Sequence, residues 1–304
     1  MPNNVAFLKK NGYLVIRNFF DNSEITELKK FASKHDHDGS IDNFRCLLSL
    51  DGSGCIFKNP KLKDLITNLL GSKPVYFGDS SLTINKGESF VAEGNMAFHR
   101  DCADRVDYNA PDWTSPEPYS LIRIGIYLDD YSKKSGGIAF RKGSNRPEKI
   151  RKLLNRKFIV YFLNLWELLI GNHYYASPKP GDLVIWQLNT DHSGNAKFLK
   201  LWPNRAITKY THYFPSFLTS PPNRDKREAF FIVFGKNGSH VDRYIKQNKE
   251  RDFMVHSWIE SFYKKEILED ENFFNLIDVG DELRKLKKIN QLPENRREWR
   301  QIPY

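Results

Sequence analysis

The sequence predicts a mainly β fold, a sandwich or jelly roll with flanking helices, on three observations. The runs VYFGDSSLTIN, YSLIRIGIYLDDY, DLVIWQL, AITKYTHYF and AFFIVFG are short, β-rich and separated by turn formers and irregular connections. The Leu121–Leu128 run alternates, with Ile122, Ile124, Ile126 and Leu128 on one face and Leu121, Arg123, Gly125 and Tyr127 on the other. Helical patterns are confined to the two ends and one insertion, so the repeating βα rhythm of a parallel sheet is missing.

The elements follow in order. The start reads as a short helix, a turn at Asn11-Gly12 and a strand from Tyr13 to Ile16. A helix then opens with Asn22 or Ser23 as N-cap, and Ile25, Leu28, Phe31 and Ala32 give it one apolar stripe. A further helix covers Pro60 to Leu70, stopped by Gly71 and Pro74. Pro147 to Ile170 reads as a helical insertion whose aromatic half, FIVYFLNLWELLI, must bury a face against the barrel, a subunit or a lipid surface, and the last sixty residues read as helices. There is no internal repeat. The expected organisation is one domain, 1–304: N-terminal helices and strand in 1–75, a β core in 76–238 with the insertion 147–170, and a helical extension in 239–304.

Composition excludes several classes. With 40% hydrophobic and 14% aromatic residues the chain can bury a core, which excludes intrinsic disorder. No apolar run reaches the ~20 residues of a membrane span, and the N-terminus lacks a secretory pattern. Three cysteines, Cys46, Cys55 and Cys102, match no zinc or redox spacing, and a cytoplasmic location is expected. The net charge of +10 is densest in Arg141–Lys157, where eight basic residues face one acid, Glu148. Such a run suits a solvated helix face, an anionic substrate or, through 149–170, a membrane surface. No nucleic-acid-binding motif accompanies it, so nucleic acid is not an expected partner. The oligomeric state is left open.

Two histidines stand apart from the rest. In extended chain His99 and Asp101 point the same way and Arg100 points oppositely, which supplies two thirds of a facial triad for a divalent metal. The letters HRD also open a kinase catalytic loop, but Val106 stands where that motif needs Asn. His192 follows the strand Leu183–Leu188, and a jelly roll brings such strand ends together. Arg205 follows thirteen residues later, and a buried arginine beside a metal suits the far carboxylate of a dicarboxylate.

These pieces, NGYLVIRNFFDNSEI, FHRD, IGIYLDDYSKKSGGIAFRKGSNR, PGDLVIWQLNTDHSGN and NRAITKY, occur in the order found in the phytanoyl-CoA dioxygenase family of Fe(II)/2-oxoglutarate-dependent oxygenases, which the chain resembles from about Phe7 to Tyr213. The resemblance implies a double-stranded β-helix (jelly-roll, cupin-like) core. It implies that His99, Asp101 and His192 bind Fe(II) and that Arg205 holds the C5 carboxylate of 2-oxoglutarate. Thr83 and Trp186 are further cofactor-pocket candidates, with Asn85 and Thr208 beside them. The family often places its arginine two residues before the final Ala, where this chain has Asn204. The expected activity is O2-dependent hydroxylation of a small anionic metabolite, with release of succinate and CO2. A zinc hydrolase on the same three ligands, or a silent anion-binding relative, is the alternative. The Arg100–Pro118 loop is a candidate lid.

Overall fold

A computed structural model describes residues 2–36, 46–85, 98–105, 107–146, 157–207, 214–221, 227–263 and 273–288. Two sheets pair almost wholly antiparallel. In the larger, β1 (Tyr13–Ile16), β7 (Leu183–Gln187), β4 (Leu121–Tyr127), β10 (Arg227–Gly235), β2 (Val75–Tyr76) and β11 (Asn275–Leu276) lie in that order. Strand β3 (Ser80–Asn85) also pairs with β10. The smaller closes β5 (Gly137–Arg141), β6 (His173–Tyr175), β9 (Trp202–Ile207) and β8 (His192–Leu199) into a ring. Among the described residues, only β11 against β2 is parallel. This is the jelly-roll core with flanking helices that the strand pattern predicts.

The alternation read in Leu121–Leu128 divides the interior as expected. Ile122, Ile124 and Ile126, none more than 2% exposed, join the apolar cluster beneath α2 (Asn22–Lys34) and α4 (Pro60–Leu70). Each buried side chain of this kind contributes roughly 1.5–3 kcal/mol. α1 (Pro2–Asn11) and the single turn α3 (Gly54–Phe57) complete that layer. On the opposite face Tyr127 and Trp186 pack with Tyr13 and Phe140 between the sheets, the last two rings stacked at 4.7 Å. At one end, α7 (Ser239–Asn248), α8 (Asp252–Glu260) and α9 (Val279–Lys288) bury Val241, Tyr244 and Trp258 against Leu121, Leu188 and Val233.

One expectation needs correction. The N-cap of α2 is Asp21, one residue before Asn22, because its carboxylate accepts from the Ser23 and Glu24 N–H groups while Glu24 reaches back to the Asp21 N–H. The insertion forms α6 (Lys157–Ile170), after the short α5 (Pro111–Thr114). Phe162 is 53% and Trp166 61% exposed, while Leu168 is buried with Leu199 and Ile207. Among the described side chains, Leu165 and Leu168 pack toward the β8–β9 hairpin, while Phe162 and Trp166 face away from it. Residues 147–156 lie outside the described residues.

Candidate active site

His99 and His192 are adjacent in space because each backbone N–H donates to the other's carbonyl at 2.9 Å. His192 opens β8 just after the turn that ends β7. The N–H groups of Asp101 and Cys102 both donate to the Leu188 carbonyl, which stitches the 98–102 segment to that corner. Arg100 points away, as alternation requires, pairing with Asp191 at 3.0 Å and lying over the rings of Tyr108 and Trp113.

The three candidate ligands converge. The histidine ring centroids are 4.4 Å apart, and Asp101 lies 3.3 Å from His192 Nε2 and 4.0 Å from His99 Nε2. One ligand atom from each falls within 4.8 Å of the others. Cis ligands at about 2.1 Å from a metal stand about 3 Å apart, so a small contraction completes a facial triad. His192 Nδ1–H donates to the Thr190 carbonyl at 3.1 Å, since a carbonyl only accepts, and this leaves Nε2 with a free lone pair. Thr190 is fixed in turn by its hydroxyl donating to the Gly12 carbonyl at 2.8 Å. A Cβ on Gly12, at φ +81°, would stand 2.4 Å from that hydroxyl, so the Asn11-Gly12 turn is a close approach to the ligand corner.

Asp101 is held as a carboxylate. Burial opposes its charge, but Arg123, then His192 and His99, keep the carboxyl well below its ordinary range. Arg123 donates to Asp101 at 2.7 Å and lies 3.3 Å from Asp79, which also accepts from the Tyr244 hydroxyl at 2.7 Å. Although burial disfavours the guanidinium, Asp101 and Asp79 push its pKa upward.

A cavity of about 220 Å³ opens onto the triad. Thr83, Tyr127, Trp186 and Phe231 form one part of its wall, and Asp79, Tyr244, Asn248 and Arg251 form another. Thr83 and Trp186 therefore line it as expected, and the buried Trp186 indole N–H has no partner there.

Arg205 lies against α6 in this structure. Its guanidinium donates to the Leu168 and Leu169 carbonyls at the C-terminal end of α6 and packs against Gly171, outside the cavity. Strand phase is the reason: Ala206 faces inward with Phe198 and Tyr175, so Arg205 faces the helix. The Asn85 side chain and Thr208 lie outside the described residues. Within the described part of the 100–118 loop Trp113 donates to the Asp104 carbonyl at 2.6 Å, and Arg243 pairs with Asp104 and Asp112. Sequence reasoning missed Arg123, Asp79, Tyr244 and Arg251. The signal for Arg123 was present, since an arginine in the otherwise apolar LIRIGIY needs a buried acid.

The family described as Phytanoyl-CoA dioxygenase (PhyH) matches residues 8–197, ending before Arg205. No curated protein sequence matches. Among solved structures, the chain is similar to the non-heme alpha ketoglutarate dependent epimerase SnoN from nogalamycin biosynthesis, with 13% identity over 77% of this chain and 82% of that one and a TM-score of 0.51. It is also similar to AviO1 from Streptomyces viridochromogenes Tue57, at 13% identity over 78% and 96% with a TM-score of 0.48. For EctD from S. alaskensis with 2-oxoglutarate and 5-hydroxyectoine, the identity is 16% over 77% and 76%, with a TM-score of 0.47.

Proposed function

Because the chain belongs to the phytanoyl-CoA dioxygenase family, we propose that it is an Fe(II)- and 2-oxoglutarate-dependent dioxygenase that hydroxylates a small anionic metabolite. The observation that carries this is the convergence of His99, Asp101 and His192 on one cavity. The donor set fits the metal: two imidazoles and one carboxylate on one side leave the other coordination positions open. When bound, iron with 2-oxoglutarate and O2 supplies the oxidising power for a C–H bond, with succinate and CO2 released.

The chain's own residues do the rest. Thr190 fixes the His192 tautomer, and Arg123 keeps Asp101 ionised and oriented. The Trp186 indole and the Thr83 hydroxyl offer donors to a bound carboxylate, while Tyr127, Ile138 and Phe231 exclude water. A zinc hydrolase would need a free carboxylate as general base. Among the described residues, the carboxylates lining this cavity, Asp79 and Asp101, are both engaged by Arg123. Three unpaired cysteines suit a reducing cytoplasm.

The test is succinate release from 2-oxoglutarate under O2, with metabolite pools added in turn. The reading requires release that depends on Fe(II) and falls to background in His99→Ala. Release that persists in that variant would sink it.

A further inference from the structure

Arg251 precedes α8, in the C-terminal extension beyond the family match. Its side chain is 8% exposed and lines the cavity together with His99, Asp101 and His192. Of the three arginines buried among the described residues, Arg100 pairs with Asp191, and Arg141 with Asp191 and Glu167. The Arg251 guanidinium makes no hydrogen bond and no ion pair among the described residues. A guanidinium carries five N–H donors, and burying them unmet is costly. The cavity's acids, Asp79 and Asp101, are already held by Arg123. A second cation stands close by: the Arg105 Nε is buried without a partner. After burial itself, Arg105 is the largest influence lowering the Arg251 pKa. Arg251 stands on the cavity wall, Arg105 acts on it from nearby, and neither guanidinium makes an ion pair among the described residues. The arrangement is complete only when an anion enters.

We propose that Arg251, supported by Arg105, is the anion anchor of this cavity, receiving a carboxylate or phosphate group of the molecule bound there. The oxyanion belongs either to the distal end of 2-oxoglutarate or to an acidic substrate. The proposal rests on the oxygenase reading for what occupies the cavity, and the anion site itself stands apart from it.

Calorimetric titration separates these. Metal-free protein is titrated with inorganic phosphate, and Mn(II)-loaded protein with 2-oxoglutarate, for wild type, Arg251→Gln, Arg251→Lys and Arg105→Gln. Arg251→Gln is expected to weaken at least one of the two ligands tenfold or more, with part of the loss restored in Arg251→Lys and a smaller loss in Arg105→Gln. Loss of 2-oxoglutarate binding assigns the anchor to the co-substrate, and loss of phosphate binding alone assigns it to the substrate. Without ligand, Arg251→Gln is expected to melt no lower than wild type, because it removes an unpaired buried charge. Unchanged affinity for both ligands, or a lower melting temperature without ligand, would overturn the proposal. If wild type binds phosphate through Arg251 but not 2-oxoglutarate with Mn(II), the oxygenase reading fails and the anchor stands.

Discussion

Replacing Arg123 by methionine removes the guanidinium that Asp101 and Asp79 share, at 2.7 and 3.3 Å, and leaves a similar apolar volume. Breaking a buried ion pair from one side costs about 3–5 kcal/mol. The lower end applies because the Arg123 side chain is 21% exposed to the cavity. With an unfolding entropy of about 2.1 cal/mol/K per residue, 3 kcal/mol in a 304-residue chain lowers Tm by about 5 °C. Adding Mn(II) places a positive charge beside Asp101 again and is expected to narrow the gap to wild type. Scanning calorimetry of both proteins, with and without Mn(II), reads this directly. An unchanged Tm in the metal-free variant would refute the ion-pair argument. A gap indifferent to Mn(II) would refute the claim that Asp101 faces the metal.

Other expectations concern packing, thiols and pH. A Cβ on Gly125 would lie 3.1–3.2 Å from Tyr127, Phe231 and Trp186, so Gly125→Ala is expected to cost about 1–2 kcal/mol in urea unfolding and to weaken 2-oxoglutarate binding. An unchanged midpoint and affinity would contradict that crowding. Burial pushes the Cys55 thiol up to about 12, and Cys46 and Cys102 are raised by burial as well. At pH 8 about one Cys55 in ten thousand is then ionised, so a thiol reagent should label the native chain slowly and all three cysteines after unfolding. Burial holds the His240 pKa below its ordinary value, against the pull of Asp112, while its ring contacts the Ser120 hydroxyl at 3.2 Å. The unfolded chain therefore binds the extra proton first, and stability is lost as pH falls from about 6.5 toward the folded pKa. His240→Asn should flatten the Tm profile across that range; an equal slope would discount His240.

Local alternation made much of this site legible. Strand phase correctly placed His99 with Asp101 and the isoleucines of β4 opposite Arg123. Arg205 was expected at the pocket from the family resemblance, not from strand phase; in the strand Ala206 takes the inward position and Arg205 faces α6. The single-residue offset at Asn204 was the visible sign. Arg251 was not legible, because its neighbours NKERDF read as an ordinary solvated helix junction. What brings the C-terminal extension to the cavity is non-local: β11 pairs with β2, and Tyr244 reaches Asp79 across 165 residues of chain. The exposed aromatics of α6 escaped for a related reason, since hydrophobicity alone does not say which face meets the β8–β9 hairpin.

The most direct measurement is the visible absorption of the protein titrated anaerobically with Fe(II) and then 2-oxoglutarate. A new band that requires both additions is expected in wild type and absent in His192→Ala and Asp101→Ala, each still folded by circular dichroism. A wild-type protein with no 2-oxoglutarate-dependent change, or variants that keep the band at full strength, would contradict the assignment of His99, Asp101 and His192 as the iron site.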